Sequence, residues 1–403
     1  MKAFVHIGAP KTGSSSIQSF LHANHQALAA QGMQVLLGHP RNGSQMNLAL
    51  AALARIDRLP PSREQQMRYG APTLAAERIL ADALNATLAG IAKTWTGRGV
   101  LISSEHIQPW LSDRTAVTAL DDLMKSHFSE ISYIFYMRNP VDLITSAYSE
   151  RIKRGATMSL DEFIAGRSEK IDHHRDAALW VDTLGRERIS LRLLERDFLK
   201  NGDLIDDYAA CCGIDMKGLE RPPRVNESLS VEAVEVLRVF NARVPQIVDV
   251  RTRNPMGAGV IRRLMKHPKA KTRIALTTGQ REKVESSVRD SNERLRATFF
   301  PDRPVLFGPL SDRAANPPRE ESLVAAVEIA IDFFVAQRSG NFSEVKEEDR
   351  HLAKVIKPEK VGKAGKAGRG LLRRKAAAAG SVQGVGGKVG RKAGKRLAVE
   401  SAE

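Results

Sequence analysis

The spacing of apolar residues changes several times along this chain, and each change predicts an element. Ala3 to Ile7 is a short apolar run that reads as a buried strand. Past Gly8–Gly13 the spacing lengthens to that of a helix, opened by Ser14, with Ile17, Phe20, Leu21 and Leu28 on one face. Met33 to Leu37 predicts a second strand. Asn42 to Trp95 is long, polar and helical, broken by Pro60-Pro61, and reads as an insertion with helices of its own. Val100 to His106 predicts the next strand and Thr115 to Phe128 the next helix. Ile131 to Met137 is strand-like again, and a helix capped by Asn139, with Pro140 in its first turn, runs on to about Arg154. A helix over Ala177 to Leu184, a strand over Ile189 to Leu194 and a helix over Leu204 to Cys212 continue the alternation; residues 228–345 read as helical.

Strands alternating with helices imply crossover units, hence an α/β fold of three layers around a mostly parallel sheet, with helical additions. Ligands of such sheets sit outside the carboxyl ends of the strands. Lys11, Glu105 and Arg138 all fall at or just past predicted strand ends. The folded body is expected to cover 1–345, closing near Phe342, with 42–95 as the helical insertion and 228–345 as a mostly helical C-terminal part.

Charge changes the picture only at the far end. Of a net +16, residues 351–403 hold 14 Lys and Arg against three acids, a net +11. Spaced by Gly, Ala and Val, the segment 346–403 has no core-forming pattern and reads as a disordered basic tail. Charge alone would let it touch nucleic acid, another anionic polymer or a membrane, or it has no partner. The rest is ordinary: 42% apolar and 27% charged residues suit a globular protein. Cys211 and Cys212 are adjacent, so no disulfide framework is expected and a reducing compartment is the default. No charged stretch followed by an apolar signal core opens the chain, and Leu323 to Ala336 is too short for a span and carries Glu328 and Asp332. A cytoplasmic location is expected. No zinc-like ligand spacing occurs, and no metal is expected.

The chemistry concentrates in Gly8-Ala-Pro10-Lys11-Thr12-Gly13-Ser14-Ser15-Ser16. A strand, a glycine-bounded loop and a helix start form an anion cradle, because free backbone N–H groups and the positive end of the helix dipole face the bound group. Lys11 adds a full charge, and Thr12, Ser14, Ser15 and Ser16 add hydroxyls. The plain alternative is a Gly-Pro turn before a serine-capped helix. Gly8 and Gly13 have the separation of the common nucleotide phosphate loop, but Ser14 stands where that motif has its lysine. The lysine sits inside the loop, at position 11.

With its lysine in mid-loop, this segment resembles the 5′-phosphosulfate loop of sulfotransferases that use 3′-phosphoadenosine-5′-phosphosulfate (PAPS). Tyr136-Met-Arg138-Asn-Pro140 with Ser146 two turns on resembles their 3′-phosphate motif, where Arg138 offers a rigid donor fork. Arg224-Val-Asn226-Glu-Ser228 resembles the loop that closes over the nucleotide; a Ser228-capped helix start is the equal alternative. The resemblance covers roughly residues 3–230. It implies a P-loop NTPase-like sulfotransferase fold, PAPS as sulfuryl donor, and donor contacts from Pro10 to Ser16, Arg138, Ser146, Arg224 and Asn226. In such families a glutamate or histidine takes the acceptor's proton, which gives Glu105 first and His106 second, Glu105 with a pKa raised by burial or neighbours. The competing role for Glu105 is a structural ion pair with Lys11 or Arg138. Lys11 would neutralise charge on the leaving oxygen. Family analogy alone points to a small-molecule or glycan hydroxyl, carbohydrate or glycolipid, as acceptor. Two other classes stay open: a nucleotide kinase or hydrolase, and a non-enzymatic polyanion binder acting through its tail.

Overall fold

The computed structural model of this chain describes residues 1–38, 44–222, 228–244, 255–308 and 319–338. Two units divide it, Met1–Phe334 and Val335–Glu403, and of the second only the end of the final helix is described. The first unit opens with β1 (Lys2–His6), α1 (Ser14–Ala23), α2 (His25–Ala30) and β2 (Met33–Val35). Next come α3 (Met46–Ala54), α4 (Arg63–Arg68), α5 (Leu74–Thr94), β3 (Gly99–Ser103), α6 (Ile107–Trp110) and α7 (Arg114–Lys125). Then follow β4 (Glu130–Met137), α8 (Pro140–Lys153), α9 (Leu160–Arg167), α10 (His173–Leu184), β5 (Ile189–Leu193) and α11 (Leu204–Cys212). The last helices are α12 (Val231–Arg243), α13 (Pro255–Lys266), α14 (Thr278–Phe299) and α15 (Arg319–Arg338).

The five strands form one parallel sheet in the order β2-β3-β1-β4-β5. His6 at the end of β1 stands level with Ser103, the last residue of β3, and with Ile134 in β4. The ends of β1 and β3 are therefore level, while β4 runs three residues further, to Met137. Alternation along each strand sends side chains to opposite faces. On β4, Tyr133, Phe135 and Met137 pack with α3, α5, α7 and α10, whereas Ile134 and Tyr136 pack with α1, α2 and α11. Both faces are covered, as a parallel sheet requires. The fold is α/β in three layers, with α12 to α14 added through further apolar clusters against α8 and α9. Among the described residues no helix is long and apolar enough to cross a membrane.

Each face also carries one buried polar clamp. Asp207 of α11 accepts from Tyr136 Oη at 2.8 Å and from Arg192 Nε at 2.9 Å. On the other face Asp121 of α7 accepts from Tyr133 Oη and Arg188 Nη1, both at 2.9 Å. Burial alone would raise the Asp121 carboxyl, but Arg188, Lys125 and Tyr133 outweigh it and hold it below the usual value. The first clamp joins α11 to β4 and β5, and the second joins α7 to β4 and to the turn just before β5.

Element by element the structure sharpens the expectations. The first helix stops at Ala23, and Leu28 lies in α2, because the Asn24 side chain donates to Phe20 O and Glu220 O, both at 2.9 Å, and breaks the run. β3 ends at Ser103, so Glu105 and His106 occupy the turn beyond it. α10 starts at His173, with Asp172 as its cap. Arg224, Asn226 and the segment 346–403 lie outside the described residues, as does Phe342.

Two stability measurements follow. Asp207→Ala leaves Tyr136 and Arg192 without their buried acceptor, and urea unfolding should show a loss of about 3 kcal/mol, the scale for breaking a buried pair; a loss below about 1 kcal/mol would contradict the clamp. Glu77, in the first turn of α5, is buried with no partner for either carboxyl oxygen among the described residues, and burial pushes its pKa from 4.5 to about 7. The folded state then holds a proton that the unfolded chain has released. The stability this group contributes is full below about 4.5 and fades as pH rises through about 7. Glu77→Gln should therefore raise the unfolding midpoint at pH 8 but not at pH 4; equal shifts at both would refute the assignment.

Candidate functional site

The loop between β1 and α1 is the most constrained backbone near the sheet. Gly8, Lys11 and Gly13 have φ of 56°, 61° and 89°. A Cβ on Gly8 would stand 2.3 Å from Ser104 O and 2.7 Å from Glu105 Cα, so only glycine lets the loop rest on the end of β3. Lys11 adopts the same left-handed conformation without glycine's freedom, at a cost of roughly 1–2 kcal/mol. Two bonds hold the loop in that shape: Arg138 Nη1 donates to Lys11 O at 3.0 Å, and Thr12 Oγ1 donates to Ala9 O at 2.8 Å. Among the described residues the amides of Lys11, Thr12 and Gly13 have no acceptor, and the buried Ser14 hydroxyl has no partner. α1 has no acid in its first turn. Unpaired donors at a helix start are what an anion requires.

The next strand over brings Arg138. It follows β4 directly, ahead of α8, whose first turn is set by Pro140 and by Asn139 Oδ1 accepting from Val141 N at 3.0 Å. His173 Nε2–H donates to Arg138 O at 2.8 Å, which fixes its tautomer; burial lowers its pKa, so the ring is neutral. Arg138 Nη2 lies 4.0 Å from Asp142 Oδ2. Ser146 is half-buried further along α8, and one turn later Glu150 reaches the loop. Its Oε2 is 3.3 Å from Lys11 Nζ, and its Oε1 accepts from Arg154 Nε at 3.0 Å. Burial would raise the Glu150 carboxyl, yet Lys11 and Arg154 outweigh it and hold it below the usual range.

Past the end of β3 stand the two proposed bases. Glu105 accepts from Gln18 Nε2 of α1 at 2.7 Å and from the Ser44 hydroxyl. Burial pulls its pKa up, but the neighbouring His106 and these two donors pull harder, and the carboxyl lies below its ordinary value. This corrects the expectation of a raised pKa. Among the described residues no ion pair joins Glu105 to Lys11 or Arg138; its ionisable neighbour is His106, whose Nδ1 is 3.8 Å from Oε1. His106 Nε2 is 2.9 Å from Tyr69 Oη, and its ring packs edge-on to Tyr69 and Trp110 with centroids 4.9 and 4.7 Å away. Burial, with Arg154 and Arg68 nearby, pushes the imidazole below its usual pKa although Glu105 opposes this. At neutral pH the pair is a carboxylate beside a neutral imidazole.

The structure thus gathers Lys11, Thr12, Gly13, Ser14, Glu105 and Arg138 around one loop. Ser146 shares α8 with Glu150, Ser15 and Ser16 are exposed on α1, and Pro10 is exposed at the loop tip. Thr12 is buried and donates its hydroxyl proton to Ala9 O within the loop. Sequence reasoning missed Gln18, Ser44, Tyr69, Glu150, Arg154 and His173. Glu150 carried a signal, since it lies four residues past Ser146 on one helix face. Ser44 and Tyr69 carried none, because they come from the inserted stretch and meet Glu105 and His106 only through the fold. No protein-family model matches this chain, and no curated protein matches it. Among solved structures the chain is similar to a sulfotransferase from Alicyclobacillus acidocaldarius, at 15% identity and a TM-score of 0.37, covering 73% of this chain and 94% of that one. A likeness of that degree says nothing about activity.

The site's electrostatics can be read by NMR of the histidine rings. His106 should titrate below 6.5, and further below in Glu105→Gln, because the lost carboxylate was holding the charged ring up. A midpoint above 7, or an upward shift in the variant, would contradict this arrangement.

Proposed function

We propose that this chain is a PAPS-dependent sulfotransferase that moves a sulfuryl group to a hydroxyl acceptor. The observation that carries the reading is the Arg138–Lys11 linkage: two cations from different strand ends flank one helix start that presents unpaired amides and a buried, unpartnered hydroxyl. The amides of Lys11 to Gly13, the Ser14 hydroxyl and the Lys11 ammonium suit the 5′-phosphosulfate. Arg138 and Ser146, with Arg224 and Asn226 as further candidates, suit the 3′-phosphate that separates PAPS from ATP. A phosphate loop for ATP has its lysine at the helix start, where this chain has Ser14, and that favours the sulfuryl reading over a kinase or hydrolase.

In this reading each group has a task. Lys11 exchanges Glu150 for the donor and neutralises charge on the bridging oxygen as the sulfur–oxygen bond breaks. Glu105 or His106 takes the acceptor's proton as its oxygen attacks sulfur in line. The depressed pKa of Glu105 makes it a weaker base than first expected and shifts weight to the neutral imidazole of His106. Tyr69, His106 and Trp110 form an aromatic cluster beside Glu105. The cluster is mostly buried, with Trp110 4% exposed, and carries no argument for the acceptor; a carbohydrate or glycolipid hydroxyl is proposed on family analogy. Residues 1–345 would form the catalytic body, in the cytoplasm.

Calorimetry with adenosine 3′,5′-bisphosphate and with ATP tests the donor half. The bisphosphate should bind more tightly, and Arg138→Ala should remove most of that preference; equal affinities in the parent protein would end the reading. Lys11→Ala should slow sulfuryl transfer by about 10²–10³-fold, the effect of removing one electrostatic donor, and near-normal turnover would refute its role.

A further inference from the structure

Past the end of β3, three side chains line up from the interior outward. Glu105 takes both of its donors, Gln18 Nε2 and the Ser44 hydroxyl, on Oε2, while Oε1 faces His106 Nδ1 across 3.8 Å. On the other side of the ring, Nε2 stands 2.9 Å from Tyr69 Oη. Nδ1 is buried and has no hydrogen-bond partner among the described residues. An acceptor hydroxyl can therefore reach neither nitrogen directly, since one is buried and the phenol occupies the other. Tyr69 is half-buried and Arg68 beside it is 29% exposed, whereas the His106 side chain is 13% exposed. The phenol is the outer end of the series.

Where the protons lie follows from what the neighbours can do. The Arg68 guanidinium lies beside the phenol. A guanidinium only donates, so it can claim a lone pair of Oη but not its proton, which is left for Nε2. A neutral ring that accepts at Nε2 carries its own proton on Nδ1, toward the Glu105 carboxylate. Carboxylate, imidazole and hydroxyl then stand in the order that activates a hydroxyl, each group oriented by the one behind it. The 3.8 Å separation is long for a hydrogen bond, and such contacts commonly tighten only when substrate binds. Arg154 ties this series to the anion loop. Its Nε donates to Glu150, the partner of Lys11, and its charge acts on both Tyr69 and His106. The phenol and the loop lysine thus border one space.

We propose that Tyr69 is the catalytic residue that meets the acceptor hydroxyl, taking its proton while passing the phenol's own proton to His106, a step that rests on the sulfuryl-transfer reading. As the acceptor oxygen attacks sulfur, its O–H bond breaks and that proton moves to Tyr69 Oη. The phenol's proton moves to His106 Nε2 and leaves an imidazolium whose Nδ1–H faces the Glu105 carboxylate. The new oxygen–sulfur bond forms as the bridging sulfur–oxygen bond breaks, and adenosine 3′,5′-bisphosphate carries off the electron pair. Tyr69 ends the step neutral, as it began, which suits a phenol whose pKa burial raises. The competing role for Tyr69 is packing alone, edge-on to His106 and against Trp110.

The test is nitrogen NMR of the His106 ring in the full chain, with and without Tyr69→Phe, which keeps the aromatic packing and removes only the hydroxyl. In the parent protein the neutral ring should carry its proton on Nδ1. The groups facing the ring are Glu105, Tyr69, Arg154 and Arg68, and the variant changes one of them. A phenol donating to Nε2 favours the neutral ring, so its removal should raise the His106 midpoint, whereas Glu105→Gln lowers it. A proton on Nε2 in the parent, or a midpoint that falls in Tyr69→Phe, overturns the proposal, because the phenol would then be accepting from the ring. Transfer from PAPS to octyl β-galactoside should slow by about 10²-fold or more in Tyr69→Phe, the effect of losing a group that moves a proton, with affinity for adenosine 3′,5′-bisphosphate unchanged. Near-normal transfer overturns the proposal, and so does an equal loss of bisphosphate affinity, which would make Tyr69 structural. A parent protein that binds no bisphosphate refutes the sulfuryl-transfer reading itself, and this step with it, whatever the tautomer.

Discussion

The candidate site depends on one hydrogen bond, from the guanidinium of Arg138 to the carbonyl of Lys11. It joins the end of β4 to the loop after β1, two strands that are neighbours in the sheet but separated by more than a hundred residues in sequence. Lys11 sits at positive φ, a conformation a lysine does not favour, and turning its carbonyl to Arg138 is part of what sustains it. His173 steadies the opposite side of Arg138 by donating to its carbonyl. The loop, the arginine and the start of α10 therefore behave as one mechanical unit. Gly8 completes it by letting the loop rest against the backbone of Ser104 and Glu105.

The cations of this unit sit beside carboxylates. Lys11 faces Glu150, which also accepts from Arg154, and Arg138 has Asp142 within 4.0 Å. A bound dianion would exchange these partners rather than meet bare charge, so part of its attraction is spent on displacing carboxylates. The same arrangement keeps two positive groups close together when no anion is present. On the β3 side the balance differs: Glu105 is steadied by neutral donors from Gln18 and Ser44, and His106 by the phenol of Tyr69. Anion recognition and proton handling are thus built from different strand ends over one sheet.

Much of the sheet was legible in the sequence because its cues are local. The apolar run of β1, the Arg-Asn-Pro junction before α8 and the β-rich run of β4 all depend on neighbours within a few residues. What escaped depends on distance along the chain. The stop of α1 at Asn24 needs the carbonyl of Glu220, and the environment of Glu105 needs Ser44 and Gln18. Its depressed pKa could not be read from Ser-Ser-Glu-His, since burial and hydrogen bonding pull in opposite directions and only their sum matters. Glu150 lay within reach of helical periodicity, but nothing in the sequence said that Lys11 would turn toward it. For Arg224 and Asn226 the sequence motif stands by itself.

The most direct test of this account is the structure of the protein with adenosine 3′,5′-bisphosphate bound. The account predicts the 5′-phosphate on the loop amides, with Lys11 Nζ turned from Glu150 toward it, and the 3′-phosphate against Arg138 and Ser146. A complex with the loop empty and Lys11 still on Glu150, or with the 3′-phosphate remote from Arg138, would contradict it.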